Sequence, residues 1–240
     1  MTNHCKVSGF VFKKEDRSET DRIFSIFTDD FGRLKIFAKA IRKITSKLKS
    51  GIDIFSISEI EFVQGKNKKT LTDAIFTEKF NNITLSPKRF EVANRITKVL
   101  DDFVKEQEKD EGLFNLLKDC FNKLNSSLLK EKECDLIYYY FLWNFFSILG
   151  FGPEIQKCAS CFSKLDSEEI YFSYREGGII CQKCFEFQKP IEKINSDAVK
   201  LLRLILKADW ETISKLKINP ECEKYLQKIS EGYYLYSLEK

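Results

Sequence analysis

Histidine is almost missing from this chain of 240 residues: His4 stands alone near the N-terminus. Without a second imidazole, catalysis by a histidine acid or base is disfavoured. A long apolar run is missing too. The longest, Leu136 to Leu149, contains Asn144 and is too short to span a bilayer. It reads as a buried helix, and no membrane association is expected. Residues 1–19 lack the apolar region of a secretory signal, and Cys5, Cys120, Cys134 and Cys222 are scattered singly. That pattern points to the reducing cytosol, with the scattered cysteines serving as small buried apolar side chains. A large net charge is also lacking, since 40 Lys and Arg against 36 Asp and Glu leave +4. The total therefore says little about partners, and only its distribution is informative.

The composition itself, 43% apolar and 32% charged, is that of a globular protein. This length suits two modest domains, which we place at residues 1–80 and 81–240. The most specific feature is a pair of CxxC turns, Cys158-Ala-Ser-Cys161 and Cys181-Gln-Lys-Cys184, with nineteen residues between them. Each places two thiolates on one tight turn, and two such turns build a tetrahedral sulfur cage suited to one Zn²⁺ per chain. A four-thiolate shell leaves no open position, so such a zinc holds structure and does no chemistry. An iron–sulfur cluster and a redox dithiol are the other readings of these cysteines.

The cationic surplus lies in the first 80 residues, where 16 Lys and Arg face 11 Asp and Glu. Arg33, Lys35, Lys39, Arg42, Lys43, Lys47 and Lys49 form a run with no acid between Phe31 and Asp53. Cys5–Lys13, Arg22–Thr28, Leu34–Lys39, Ile52–Val63 and Thr70–Thr77 are rich in β-branched and aromatic residues, and Asp, Gly, Lys and Asn separate them. Five short strands in this length predict a small barrel of the OB type, a common carrier of oligonucleotides. Alternation along the third strand puts Leu34, Ile36 and Ala38 inside and Arg33, Lys35, Phe37 and Lys39 outside. Cations interleaved with an aromatic ring suit single-stranded nucleic acid, the cations tracking phosphates and Phe37 stacking on a base. The competing reading is a solvated face with Phe37 packed under a loop.

From Ser86 the pattern becomes helical. Ser86-Pro87 caps a helix carrying Ala93, Ile96, Leu100 and Phe103, and Leu113, Leu117, Phe121, Leu124 and Leu128 mark a second. Cys134 to Leu149 is apolar all round, as a helix at the centre of a domain would be. Gly150-Phe151-Gly152-Pro153 ends it. Ile170–Ser173 and Ile179–Cys181 predict a hairpin turning at Gly177-Gly178. Asp197–Lys207 behind a Ser196 cap, a short segment from Trp210 to Leu216, and a helix opened by Asn219-Pro220 complete an α+β chain.

Taken together, these residues resemble the RecO family of bacterial recombination mediators, over nearly the whole length. In the first part the likeness rests on Gly9-Phe10-Val11, Glu19-Thr20-Asp21-Arg22, Phe27-Thr28 leading to Gly32-Arg33-Leu34, and Ala38-Lys39 before Arg42-Lys43. In the second it rests on Leu149-Gly150-Phe151-Gly152-Pro153, both CxxC pairs, Tyr171-Phe172-Ser173 and Arg175-Glu176-Gly177-Gly178. The resemblance implies an N-terminal OB-fold, a helical domain with a four-cysteine zinc knuckle, and a non-catalytic repair protein at the nucleoid. It further implies binding of single- and double-stranded DNA, annealing of complementary strands, and, with RecR and in many bacteria RecF, loading of RecA onto strands coated by single-strand-binding protein. By motif position it assigns Arg33, Lys35, Lys39, Arg42 and Lys43 to DNA, with Phe37 as a stacking candidate, and Lys47 and Lys49 extend that basic stretch. Capture of the acidic C-terminal tail of single-strand-binding protein is implied for the helical domain, where Lys200, Arg203 and Lys207 are candidate contributors. Ala40 and Phe162 stand where the family commonly has glycine, so the turns there are free to differ.

Two other functions compete. Asp29-Asp30 and Asp101-Asp102 could hold catalytic metal in a nuclease, although neighbouring acids are usually solvated surface. A generic RNA- or DNA-binding scaffold would use the same barrel, and strand annealing separates it from a recombination mediator.

Overall fold

The computed structural model describes residues 3–105, 109–165, 170–186 and 191–240. The alternation that marks the third strand in sequence is realised in space. In β3 (Gly32–Ala38), Leu34, Ile36 and Ala38 are fully buried and Lys35 is exposed. With β1 (Asn3–Asp16), β2 (Arg22–Thr28), β4 (Ser56–Gln64) and β5 (Lys69–Lys79) it forms a closed barrel in the order β1-β2-β3-β5-β4. All neighbours are antiparallel except β3 and β5, which meet in a short parallel seam at Ile36↔Lys69 and Phe37↔Thr70. Val7, Val11, Phe24, Ile26, Leu34, Ile36, Ile60 and Phe62 fill the interior. Register shifts at Val11/Lys13, Ile57/Ser58 and Glu61/Phe62 supply the sharp bends a five-stranded barrel needs to close.

Helix α1 (Asn81–Leu85) leads into α2 (Pro87–Phe103), where the Ser86 hydroxyl accepts from the Arg89 amide and Pro87 occupies the first turn. Helix α3 (Glu111–Asn125) starts at Asp110, whose carboxylate accepts from the Leu113 amide at 2.8 Å. Leu128 lies beyond its end and is exposed, so the apolar repeat read from sequence runs one turn too far. The buried Arg89 explains the stop: its guanidinium donates to the Leu124 and Leu129 carbonyls, at 2.9 and 2.8 Å, and satisfies the end of α3. Phe121 of α3 packs against Phe10, Phe55 and Phe80, with its ring centroid 4.5 Å from that of Phe10. These helices therefore share a compact unit with the barrel, residues 1–134.

The second compact unit spans residues 135–240. Its centre is α4 (Cys134–Ile148), with Tyr138, Tyr139, Tyr140, Phe141, Trp143, Phe145 and Phe146 all buried. Two polar groups inside it are paired. The Trp143 indole donates to the Ser230 hydroxyl at 2.9 Å, and the Asn144 amide donates to the Tyr140 and Ile205 carbonyls at 2.8 and 2.9 Å. Gly150, at φ 81°, ends the helix in the left-handed region, with the Phe151 amide donating back to the Phe146 carbonyl at 2.7 Å. Beyond it lie β6 (Ile170–Ser173), β7 (Gly178–Cys181), the short α5 (Gln182–Phe185) and β8 (Ile191–Ile194), the strands forming a sheet in the order β7-β6-β8.

Helices α6 (Ser196–Leu206), α7 (Trp210–Lys215) and α8 (Pro220–Leu238) finish the chain. The cap of α6 is Asn195, accepting from the Ala198 amide at 2.8 Å, and not Ser196, which is the first helical residue. Among the described residues, no helix is long and apolar enough to cross a membrane.

Candidate nucleic-acid interface and metal centre

The outward positions of β3 do not behave alike. Lys35 and Lys39 are exposed, and Phe37 is half-buried. Arg33 is turned onto the end of α2 instead. Its guanidinium donates to the Val104 carbonyl at 2.6 Å and the Asp101 carbonyl at 3.1 Å, and pairs with the Asp101 carboxylate. Only 10% of that side chain is exposed. Arg33 thereby caps the C-terminus of α2, where free carbonyls and the helix dipole favour a cation. Asp101 also accepts from Lys13 at 2.8 Å. Burial opposes ionisation of Asp101, but the hydrogen bonds from Lys13 and Arg33 outweigh it and hold the carboxyl below its ordinary range.

Past β3 the basic loop divides in the same way. Arg42 donates to the Ser18 carbonyl at 2.9 Å and lies 3.3 Å from Asp16, so it braces the turn between β1 and β2. Lys43, Lys47 and Lys49 are exposed, and among the described residues no carboxylate reaches them. The loop leaves β3 through Ala40, which adopts φ 54° and donates its amide to the Asp21 carboxylate at 2.8 Å. That amide is the leading cause holding Asp21 below its ordinary range.

Beside β3 lies a cleft of about 630 Å³ that the sequence did not reveal. Among the described residues it is lined by Arg33, Lys35, Lys66, Lys68, Lys69 and Lys105, with Gln64 and Asn67 and no carboxylate. Gly65-Lys66-Asn67-Lys68-Lys69 is visible as a basic stretch, but in sequence it reads only as the break between two strands. The seam Ile36↔Lys69 and Phe37↔Thr70 is what brings it beside β3. Lys68 places its ammonium 4.3 Å from the centroid of the Phe37 ring. Lys6 of β1, by contrast, lies 2.5 Å from Glu59 and 3.8 Å from Glu61 of β4. Among the described residues, Lys35, Lys66, Lys68 and Lys69 at the β3–β5 seam and Lys43, Lys47 and Lys49 in the loop after β3 have no ion-pair partner.

The four cysteines of the two CxxC turns converge. All their Sγ atoms lie within 4.8 Å of one another, and those of Cys161 and Cys181 are 3.8 Å apart. A tetrahedron with metal–sulfur bonds of about 2.3 Å has edges of about 3.8 Å, so the donor set fits a thiolate-bound ion. The backbone builds the site. The first turn closes through the Phe162 amide on the Cys158 carbonyl at 2.9 Å, and the Ala159 amide ties it to the Ile179 carbonyl of β7 at 2.7 Å. The Cys181 amide donates to Cys158 Sγ at 3.4 Å, as thiolate ligands require. Hydrogen bonds from Ser163, first its hydroxyl and then its amide, draw the Cys161 thiol down to about 6. Phe162 sits at φ 60° with the Lys157 ammonium 4.7 Å from its ring centroid, so the turn keeps a left-handed residue without glycine.

Of the remaining candidates, Asp30 lies 3.8 Å from Lys109, and one buried carboxylate oxygen of Asp29 has no hydrogen-bond partner among the described residues. Asp101 serves Arg33 and Lys13, and Asp102 pairs with Lys98 at 2.9 Å. Among the described residues, the four cysteines are the one group of three or more ligands close enough for a metal ion. Arg203 donates to the Ile155 carbonyl at 2.7 Å and fastens the approach to the first CxxC turn, while Lys200 lies 3.0 Å from Asp197.

Residues 1–80 match the family model described as "Recombination protein O N terminal", and residues 85–240 match "Recombination protein O C terminal". Among curated relatives, a "DNA repair protein RecO" of Dehalococcoides mccartyi strain 195 is 32% identical, covering 98% of this chain and 91% of its own length. Proteins of the same name from Alkaliphilus metalliredigens and Acetivibrio thermocellus are 31% and 27% identical, over 98% and 99% of this chain and 94% and 93% of their own lengths.

Proposed function

The chain belongs to the recombination protein O family, and from that premise we propose that it is a non-catalytic DNA repair mediator whose barrel binds single- and double-stranded DNA. In this reading it anneals complementary strands in the cytoplasm, at the nucleoid. With RecR, and in many bacteria RecF, it helps load RecA onto strands coated by single-strand-binding protein, whose acidic tail it captures through the helical part. Residues 1–80 supply the DNA-binding domain and residues 81–240 the helical part with its knuckle, the helices before residue 134 belonging to the same compact unit as the barrel.

The observation that carries this proposal is the cleft where six cationic residues gather with no carboxylate among the described lining residues, continuous through Lys35 with the exposed face of β3. A mediator needs no nucleophile. It has to hold two polyanions against their repulsion, which cations do by neutralising phosphates and releasing counterions. Lys35, Lys39, Lys43, Lys47 and Lys49, together with the cleft lysines, are the DNA contacts; Arg33 and Arg42 act chiefly by holding that surface in shape. The ion in the knuckle is zinc, held by Cys158, Cys161, Cys181 and Cys184, and it supplies structural cross-linking alone.

The decisive experiment is annealing of complementary labelled strands, bare and coated with the cognate single-strand-binding protein. Acceleration in both cases is expected. Failure in both, with preference for RNA, would replace the mediator by a generic RNA-binding scaffold. Cleavage that depends on Mg²⁺ or Mn²⁺ and copurifies with the protein would replace it by a nuclease.

A further inference from the structure

Phe37 is the aromatic residue on the outward face of β3, between Lys35 and Lys39, and an ammonium group lies over its ring. That ammonium belongs to Lys68, which also lines the cleft. Phe37 itself sits at the parallel seam, paired with Thr70 one residue past Lys69. Ring, covering cation and cleft are therefore contiguous within one compact unit.

A cation over a half-buried ring at the surface is a weak, exchangeable contact. Stacking of a nucleobase on the same ring is stronger, and it leaves the ammonium free to meet a phosphate of the same strand. The exchange needs a base whose face is unpaired and accessible. In a duplex the bases are stacked on one another, and only phosphates are offered to the cleft.

We propose that the cleft takes the phosphates of an unpaired strand while one of its bases displaces Lys68 from the face of Phe37, making this pair the element that selects single strands over duplex. The inference rests on the reading that the basic face of the barrel meets DNA. It adds a division of labour: the lysines bind any polyanion, and Phe37 distinguishes strands with free bases.

The test measures fluorescence anisotropy of the full chain with three probes of equal length: an oligothymidylate, the same backbone with abasic sites throughout, and a blunt duplex. The intact protein is expected to prefer the oligothymidylate over the abasic strand. Phe37→Leu should weaken oligothymidylate binding about tenfold and leave the abasic and duplex affinities unchanged. Phe37→Tyr, which keeps the ring, should retain the preference. Lys68→Met should make the salt dependence on the abasic strand shallower by about 0.7 in log–log slope, one phosphate contact fewer, without abolishing the preference for bases. The proposal is overturned if Phe37→Leu leaves oligothymidylate binding intact, or if it weakens all three probes by one factor while Phe37→Tyr does the same. Failure of the intact protein to bind any probe would instead sink the DNA reading on which the inference stands.

Discussion

Ala40 and Phe162 hold φ of 54° and 60°, a region that costs a residue with a Cβ about 1–2 kcal/mol. Both take the left-handed conformation that glycine enters without strain. Ala40→Gly is therefore expected to raise stability by about 0.5–1 kcal/mol after the added freedom of the unfolded chain is subtracted, read as a higher denaturation midpoint. At Phe162 the gain is smaller, because the Lys157–ring contact is lost. The basic side chains divide just as sharply. Lys35→Glu with Lys39→Glu should weaken single-strand binding and reduce its log–log salt slope by about 1.4, two contacts fewer, while leaving the melting temperature unchanged. Arg33→Met should do the reverse and lower stability more than affinity, because it uncaps α2 and leaves Asp101 paired with Lys13 alone. Sequence alone could not separate Arg33 from Lys35. Both lie on the outward side of one basic strand, and only the position of the α2 terminus decides which is consumed.

Among the elements, α2 shows best how a helix end is tied to a barrel. Asp101 takes Lys13 from β1 and Arg33 from β3, and those bonds keep its carboxyl ionised to a pH below the ordinary carboxylate value of about 3.9. A group whose folded pKa is depressed stabilises the fold above its unfolded pKa, and the contribution is lost as pH falls through the folded value. Asp101→Asn should thus be less stable than the parent at pH 7, with the gap unchanged down to about pH 4 and shrinking below it, as urea titrations at pH 7, 4 and 3 would show. The helices and strands themselves were legible wherever a period coincided with a cap: Ser86-Pro87, Gly150 and Asn219-Pro220 sit where the pattern places them. Legibility failed where two residues could serve equally. Asn195 and Ser196 are both good caps, and no local pattern tells that Asn195 is the one used. It failed again for the β4–β5 turn, because a barrel's closure pairs residues far apart in sequence, and no local pattern reports that Lys69 will lie beside Ile36.

At the scale of the whole molecule, the cysteine cluster and the cationic cleft belong to different compact units, residues 135–240 and 1–134. Each unit has its own core. The barrel is filled by Val7, Phe24, Ile26, Leu34 and Ile36, and the second unit by Trp143 packed against Phe172 and Tyr233, with ring centroids 5.6 and 5.2 Å away. Loss of the metal should therefore be felt unequally. Structural zinc supplies about 10–16 kcal/mol to isolated zinc peptides, but here β6 and β7 also pair with each other and Phe172 is fully buried, so part of the knuckle's order does not depend on the ion. Removal by a strong chelator, or Cys181→Ser, is expected to lower the unfolding temperature of the second unit and split calorimetric melting into two transitions. Single-strand affinity of the barrel should stay within about twofold, a change of roughly 0.4 kcal/mol. Elemental analysis of the intact protein should find about one zinc per chain. A chelated protein that loses DNA binding in step with its second transition would mean that the strand is held by residues beyond 134, and the cleft at the β3–β5 seam would no longer account for the interface.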